Sequence, residues 1–570
     1  MLHQARVCVA SALICVLAVI PAGPALAGEW PTGSLHVHLD ATRMAGADRY
    51  ATSVKTARLE FPEWAGVTHV IVASGEERCI ADVLAAAGLV WAYDAPLLLV
   101  ESDGVPGVVR QALTEIRSAN GTMTVTVVGG PVSVTQACVS QIAAITEGVV
   151  EQPWTTGDRY SVAAGIARRV NAVAAETSRT PAREVLIANG SNSAGFVDAL
   201  PLAAVSAQTG APVLFVTRDT VPKATLSALA ALDPVETILA GGTAVVSSGV
   251  YKTVGATSRW SGQDRFSTAV AIARQARSRG WLTADGVGIA GTVVDGVTGA
   301  GACGRSARPM LLTESARLSN PIARYLDEMS ETVSSATVFG GPAAVSDGTL
   351  AELRGAPSVP VLVRPTAGAL VGKLANVAVR VGINTTEVRL YAGSTLLATK
   401  PATAYTVVDF GKRAMPADGV ALKAVATNPD GASRAVSAKF KRLSYPAKTS
   451  IVIDKSEFRL YWVKDDVLIK RYPVALGREG METPIAMWKI NAKYITDPSS
   501  VYGPRKMRLF RRVGSGADVR YVYTAYAIHG TNQEWVIGTK ASHGCIRMYN
   551  KDVLELYPQV PLGTLVQTRQ

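Results

Sequence analysis

Threefold self-similarity constrains this chain more than any other feature. A run beginning Gly46-Ala47-Asp48-Arg49-Tyr50 returns as Gly157-Asp158-Arg159-Tyr160 and again as Gly262-Gln263-Asp264-Arg265-Phe266. Each copy opens a helical pattern of Ala, Val and Ile. A strand comes next in every copy (Val70 to Ala73, Val185 to Ala188, Val287 to Ala290), then a Gly/Ala-rich helix, then a second strand (Pro96 to Val100, Pro212 to Val216, Pro309 to Leu312). Each copy closes on a strand ending in paired glycines: Gly129-Gly130, Gly241-Gly242 and Gly340-Gly341. Strands alternating with helices are the pattern of parallel α/β layers, and self-similarity on this scale means related units that pack together. The reading is three α/β repeat modules with parallel sheets, over residues 41–150, 151–256 and 257–355.

The remaining length must hold other domains, because 570 residues exceed what one hydrophobic core sustains. With 48% hydrophobic and 18% charged residues, the chain fits neither disorder nor a collagen-like structure. A formal net charge of +12 favours anionic partners without choosing among them. Residues 1–27 read as a signal peptide: Arg6 precedes the apolar run Val7 to Ile20, and Ala25 and Ala27 supply the small residues of a cleavage site. An uncleaved anchor is the competing reading, but the run is shorter than the ~20 residues of a bilayer span. The mature protein is expected to be exported, with no membrane span. Beyond the signal stand Cys79, Cys138, Cys303 and Cys545, too few for a disulfide scaffold. Cys79 with Cys138 is the expected bridge, since both lie in one repeat, and Cys303 reads as a small buried hydrophobe.

Gly286-Val287-Gly288-Ile289-Ala290-Gly291 matches the dinucleotide-binding spacing. That fingerprint needs its glycines in the turn after a strand, whereas here they occupy the strand itself, so no nucleotide cofactor is expected. The triplicate resembles the type 2 cell-wall-binding repeats, carried in tandem threes on surface proteins of Gram-positive bacteria. The resemblance implies a noncovalent anchor that grips an anionic wall polymer, with the modules around a pseudo-threefold axis. Arg49, Arg159 and Arg265 then become polymer contacts; the structural alternative, favoured on the residues themselves, pairs each with Asp48, Asp158 or Asp264 to fix a helix start.

From 358 to 444, alternating stretches such as Val377 to Val381, Val388 to Leu390 and Ala421 to Ala426 are broken by turns such as Asn428-Pro429-Asp430-Gly431. This predicts a β-sandwich, similar to the Ig-like spacers of bacterial surface proteins, holding the C-terminal segment away from the anchor. Residues 449–570 are mainly β, with a hairpin turning at Asp465-Asp466. Near the end stand His529-Gly530-Thr531 and Ser542-His543-Gly544-Cys545-Ile546-Arg547-Met548.

A free thiol is only ~3% thiolate at pH 7, so an imidazole that takes its proton would raise its reactivity some thirtyfold. Cysteine with histidine is an acylation pair. Gly544 would leave room for a substrate carbonyl, N–H groups around His543, Gly544 and Cys545 would form an oxyanion hole, and Arg547 offers a fork for a carboxylate or carbonyl. Zinc at His529, His543 and Cys545 is the competing use, but ligand spacing and a fourth ligand are lacking; no metal is expected. A disulfide from Cys545 to an earlier domain is the other alternative.

The run from His529 through Trp535 and Gly538 to Ser542-His543-Gly544-Cys545-Ile546-Arg547 resembles the active-site signature of the L,D-transpeptidase catalytic domain. The resemblance implies that Cys545 attacks the amide joining the third residue of a peptidoglycan stem tetrapeptide to its terminal D-alanine, and that an amine of a neighbouring stem resolves the thioester. His529 becomes general base and acid, oriented by the Gly530 carbonyl, and Ser542 and His543 shape the pocket. One departure is Ala486, two residues after Pro484, where the family has Gly. Hydrolytic resolution (an L,D-carboxypeptidase) and a non-catalytic surface adhesin are the alternatives. Stem peptides and a wall polymer are the expected partners, nucleic acid is not, and the location is the cell wall.

Overall fold

A computed structural model describes residues 34–191 and 193–570. The expected signal peptide lies outside them. Among the described residues no helix is long and apolar enough to cross a membrane.

Three four-stranded parallel sheets carry the repeats. In the first the order is Leu97–Val100, His69–Ser74, Thr124–Val128, Val149–Glu151, and in the second Val213–Val216, Glu184–Asn189, Glu236–Ala240, Ser258–Trp260. The outermost strand thus comes from the stretch leading into the next repeat. The third repeat has no successor, and strand β1 (Asp40–Met44), which precedes the first repeat, fills the vacant edge by pairing with Ser335–Phe339. Side chains confirm the equivalence: Gln152, Arg259 and Arg43 donate to the carbonyls of Gly129, Gly241 and Gly340. Boundaries drawn at 41 and 257 therefore cut strands from the sheets they complete. Strands of three to five residues are too short to show a periodicity that assigns them.

Alternation within the buried strands explains how three modules make one body. Ile71, Leu99, Leu186, Phe215 and Met310 point inward and join a single core shared by all three repeats. Intervening residues such as Val70, Ile187 and Ile289 face outward into separate cores. The Gly/Ala-rich helices meet at the centre, where side chains would collide: a Cβ on Gly304 would lie 2.4 Å from the Ala204 carbonyl oxygen, and one on Gly288 2.3 Å from Cys303 Sγ. The nucleotide-like glycine spacing is thus a packing device.

Asp48, Asp158 and Asp264 each cap the helix after them, accepting from the N–H of Ala51, Ser161 and Ser267. The adjacent arginines do not pair with them. Arg49 and Arg159 donate instead to the Gly75 and Gly190 carbonyls at the end of their own first strands, and Arg265 lies over Phe266.

The expected Cys79–Cys138 bridge is absent; all four described cysteines are free. Cys138 belongs to the outer core of the first repeat, whereas Cys79 opens the helix packed into the shared inner core, so the sheet separates them.

Residues 361–439 form two antiparallel sheets around one core, with strands 361–364, 374–380 and 407–414 on one side and 387–392, 395–401, 421–427 and 433–439 on the other. They are docked rather than held apart. Buried Asn384 accepts from the Val37 N–H and donates to the carbonyls of Val37, Glu352 and Ala356 in the anchor, and Ile383 enters the third repeat's core. On the far side, Tyr445 accepts from Lys373 N–H and donates to Asp466.

The last domain is a closed barrel. Strands run in the order 467–477, 459–464, 450–454, 565–569, 486–495, 505–513, 520–529 and 546–548, and the last pairs back onto the first. Asp465 and Asp466, both with positive φ (51° and 63°), make the hairpin turn. Trp462 and Trp488 fill the interior. Ala486, at the departure from the family pattern, starts an ordinary strand, its N–H on Thr568 Oγ1 at 2.8 Å, so the turn is not strained.

Candidate functional site

Three neighbouring strands of the barrel build the site: β2 (Arg505–Val513), β3 (Arg520–His529) and β4 (Ile546–Met548). Their pleat sorts side chains into two faces. Met507, Ile528 and Ile546 point into the core. Residues between them point the other way, and the pairing register arranges them in rows. Lys506 stands opposite His529, and His529 beside Arg547. Arg508 stands opposite Ala527, and continuing the β3–β4 register by one residue sets Cys545 beside Ala527. Cys545 and His529 are therefore diagonal neighbours on adjacent strands, and the thiol points to the Ala525 carbonyl at 3.8 Å.

His529 is 3% exposed, and its Nδ1 lies 2.5 Å from the Gly530 carbonyl oxygen. A carbonyl only accepts, so Nδ1 carries the proton and the Nε2 lone pair is left to act as a base. The carbonyl is itself held, because Asn550 Oδ1 accepts from the Thr531 N–H at 2.9 Å and Arg505 O accepts from Gly530 N–H at 3.1 Å. Burial pushes the imidazole down to about 4; the Gly530 contact opposes this, and the charges of Arg547, Lys506 and Arg508 add to it. Burial likewise raises the Cys545 thiol, opposed by the Ala527 N–H and the same three cations. At neutral pH the resting pair is an uncharged thiol and an uncharged imidazole. Base catalysis needs the histidine in that form.

Gly544 has a different role from the one expected. Its φ is +100°, and a Cβ there would lie 2.4 Å from the Tyr526 ring, so the space is filled by Tyr526 rather than left for substrate. Its N–H is held by Ser542 Oγ at 3.1 Å, which in turn donates to the Cys545 carbonyl at 2.6 Å. Ser542 thus shapes the turn that carries Cys545, as does Thr483, whose hydroxyl donates to the Gly544 carbonyl. His543 is exposed, with Nε2 accepting from Arg478 at 3.0 Å. Arg547 donates to Gln533 Oε1 at 3.1 Å.

Sequence reasoning gave no site role to Thr483, Tyr502, Lys506, Arg508 or Asn550. The Tyr502 ring meets His529 edge to face at 5.1 Å, with Lys506 Nζ 3.2 Å from its centre. The available signal was the spacing Lys506-Met507-Arg508, which puts both cations on one strand face. Among the described residues no cluster of His, Cys, Asp and Glu is arranged to hold a metal.

Comparison with known proteins bears on both halves. The YkuD L,D-transpeptidase catalytic domain matches residues 448–567, and cell wall binding domain 2 matches 43–139, 155–251 and 259–350. The chain is 26% identical over 314 residues to N-acetylmuramoyl-L-alanine amidase LytC of Bacillus subtilis, covering 55% of this chain and 58% of that protein. It is 32% identical over 132 residues to "Probable L,D-transpeptidase YbiS" of Escherichia coli, 20% of this chain and 43% of that one. The chain spans about half the length of these curated relatives. Among solved structures, Cwp6 from Clostridium difficile aligns with TM-score 0.49 and 23% identity over 59% of this chain and 50% of that one. The chain belongs to the cell wall binding domain 2 family, whose three repeats span half its length, and ends in a YkuD L,D-transpeptidase catalytic domain.

Proposed function

We propose that this protein is a wall-anchored L,D-transpeptidase that cross-links third residues of peptidoglycan stem peptides through a thioester on Cys545. The observation that carries the reading is the placement of His529 diagonal to Cys545, with Nδ1 engaged by the Gly530 carbonyl. In the first half-reaction His529 Nε2 takes the thiol proton as Sγ attacks the carbonyl of the stem's third residue. The N–H groups of Cys545 and His543 receive the developing oxyanion, that of Gly544 being held by Ser542. Collapse breaks the amide bond, the imidazolium protonates the departing amine, and D-alanine leaves with the thioester in place. In the second, a neighbouring stem's side-chain amine attacks the thioester, His529 takes its proton, and the thiol is regenerated as the cross-link forms. Arg547 orients the substrate.

The three repeats serve as the anchor, binding an anionic wall polymer at the cell surface. Three linked contacts raise effective concentration even where each is weak. Residues 358–444 act as an Ig-like strut between anchor and enzyme.

The test is incubation of the purified protein with stem tetrapeptide, followed by mass spectrometry. Cross-linked dimers, free D-alanine and a Cys545 adduct are expected; tripeptide alone would replace transfer by hydrolysis, and no product in the presence of intact Cys545 would sink the catalytic reading. For the anchor, 1 M salt shortens the screening length to about 3 Å and should partly elute the protein from isolated walls. Retention of a chain lacking 41–355 would refute the anchoring role.

A further inference from the structure

Three positive side chains crowd the reacting pair without an acid to balance them. Lys506 and Arg547 flank His529 in one row, and Arg508 stands in the row of Cys545. The ion pairs of the barrel lie elsewhere, at Lys470–Glu555 and Arg569–Asp454. Among the described residues, no Asp or Glu oxygen reaches ion-pair distance of Lys506, Arg508 or Arg547. Lys506 is 6% exposed, and its ammonium rests over the Tyr502 ring. The Nε atoms of Arg508 and Arg547 are buried with no acceptor. Crowding like charges around a buried lysine is costly, and a site that keeps them is complementary to an anion arriving from solution.

The geometry singles out Arg508. Its Nη1 donates to the Ala525 carbonyl at 2.7 Å, and the Cys545 thiol reaches the same oxygen at 3.8 Å. A second contact to the Thr524 carbonyl at 3.3 Å and the Tyr523 ring at 5.2 Å hold the guanidinium in place. One edge of the fork is therefore fixed within two hydrogen-bond lengths of the sulfur. Arg547, in contrast, is turned towards Gln533. In a peptide cleaved at its last amide, the terminal carboxylate sits one carbon from the leaving nitrogen, so it must lie beside the nucleophile during attack.

We propose that Arg508, supported by the charge of Lys506, is a specificity-determining residue that reads the free α-carboxylate of the departing residue. This rests on the transpeptidase reading. A free carboxylate gives the open edge of the fork an anionic acceptor; an amidated terminus, or one extended by another residue, leaves that edge without one. Sites that recognise a substrate by a buried polar contact reject the analogue lacking it strongly.

The experiment uses the full chain with two donors, the tetrapeptide and its C-terminal amide, and follows release of the last residue. Wild type should favour the free acid in kcat/KM by on the order of 10²-fold. Arg508→Gln should bring the two donors to within about threefold, and Arg508→Lys should keep a partial preference. In parallel, Cys545 is alkylated with anionic iodoacetate and neutral iodoacetamide. The ratio of the two rates should fall about tenfold in Arg508→Gln, while the iodoacetamide rate reports an intact site. Equal use of acid and amide by wild type, or an unchanged alkylation ratio in Arg508→Gln, overturns the proposal. Failure of wild type on both donors with the expected fall in ratio sinks the transpeptidase reading and leaves the anion site standing.

Discussion

Charge is handled in opposite ways at the two ends of the molecule. In the anchor, arginines meet acids: Arg43 with Asp347, Arg58 with Glu115, Arg279 with Glu236, and Arg305 with Glu60 and Asp94. In the barrel, Lys506, Arg508 and Arg547 surround the thiol with none. Cysteine obeys the same division. Cys303, packed against Gly288, is pushed up to about 12 by burial, with Arg308 opposing too weakly to matter. Cys545 is also raised by burial, but it is partly exposed and three cations act against the shift. A thiol becomes useful where it is reachable and where positive charge stabilises its anion; the same residue in a sealed core is only volume.

The sharpest way to break that comparison is to exchange the roles of the two thiols. Cys545→Ala should remove acyl transfer by a factor on the order of 10³ or more, with His529→Ala falling on the order of 10²- to 10⁴-fold. Cys303→Ala should leave the rate within about twofold; a large loss there would mean that the anchor thiol takes part. Next in size is closure of the repeat ring. Ala41 of β1 is fully buried, and Ala41→Glu places an unpaired carboxylate against the third sheet, costing about 3 kcal/mol or more. Thermal unfolding should then shift by roughly 6–12 °C for the anchor transition, with the barrel unaffected.

Much of this contrast was legible in the sequence, and for identifiable reasons. The repeats announced themselves because each copy carries its own helix cap and glycine turn, local signals that survive without knowledge of contacts. Cys545 and His529 stood out because few other groups can acylate. Lys506 and Arg508 did not: their spacing puts them on one strand face, but the pairing that brings that face beside Cys545 is not written in any local pattern. Nor could the sequence say that β1 crosses from the start of the first repeat to the third, or that Asn384 joins sandwich to anchor.

A third probe is pH. The imidazole of His529 is held neutral in the folded barrel, with its value lowered from 6.5 to about 4. The unfolded chain binds that proton more readily, so the stability tied to neutral His529 is complete above pH 6.5 and lost as pH falls to about 4, by about 3 kcal/mol. Denaturant titrations of the barrel across this window should show the decline, and His529→Gln should flatten it. Catalytic turnover should persist below pH 6, where an ordinary histidine would already be charged. The smallest expected effect lies at the junction: Asn384→Ala removes several buried hydrogen bonds and should cost about 2 kcal/mol, read as a separation of the anchor and sandwich transitions in calorimetry.

Strand β1 carries a consequence for how the chain matures. Its partner, Ser335–Phe339, lies nearly three hundred positions downstream, so the ring of sheets cannot close until the last repeat has been made. Repeat arrays ordinarily gain stability one unit at a time from nearest neighbours. Here the first-made segment waits for the last-made one, which raises contact order and turns a modular array into an all-or-none assembly. Trimming a repeat from either terminus would then strand an open edge, and adding a fourth would require a new clasp.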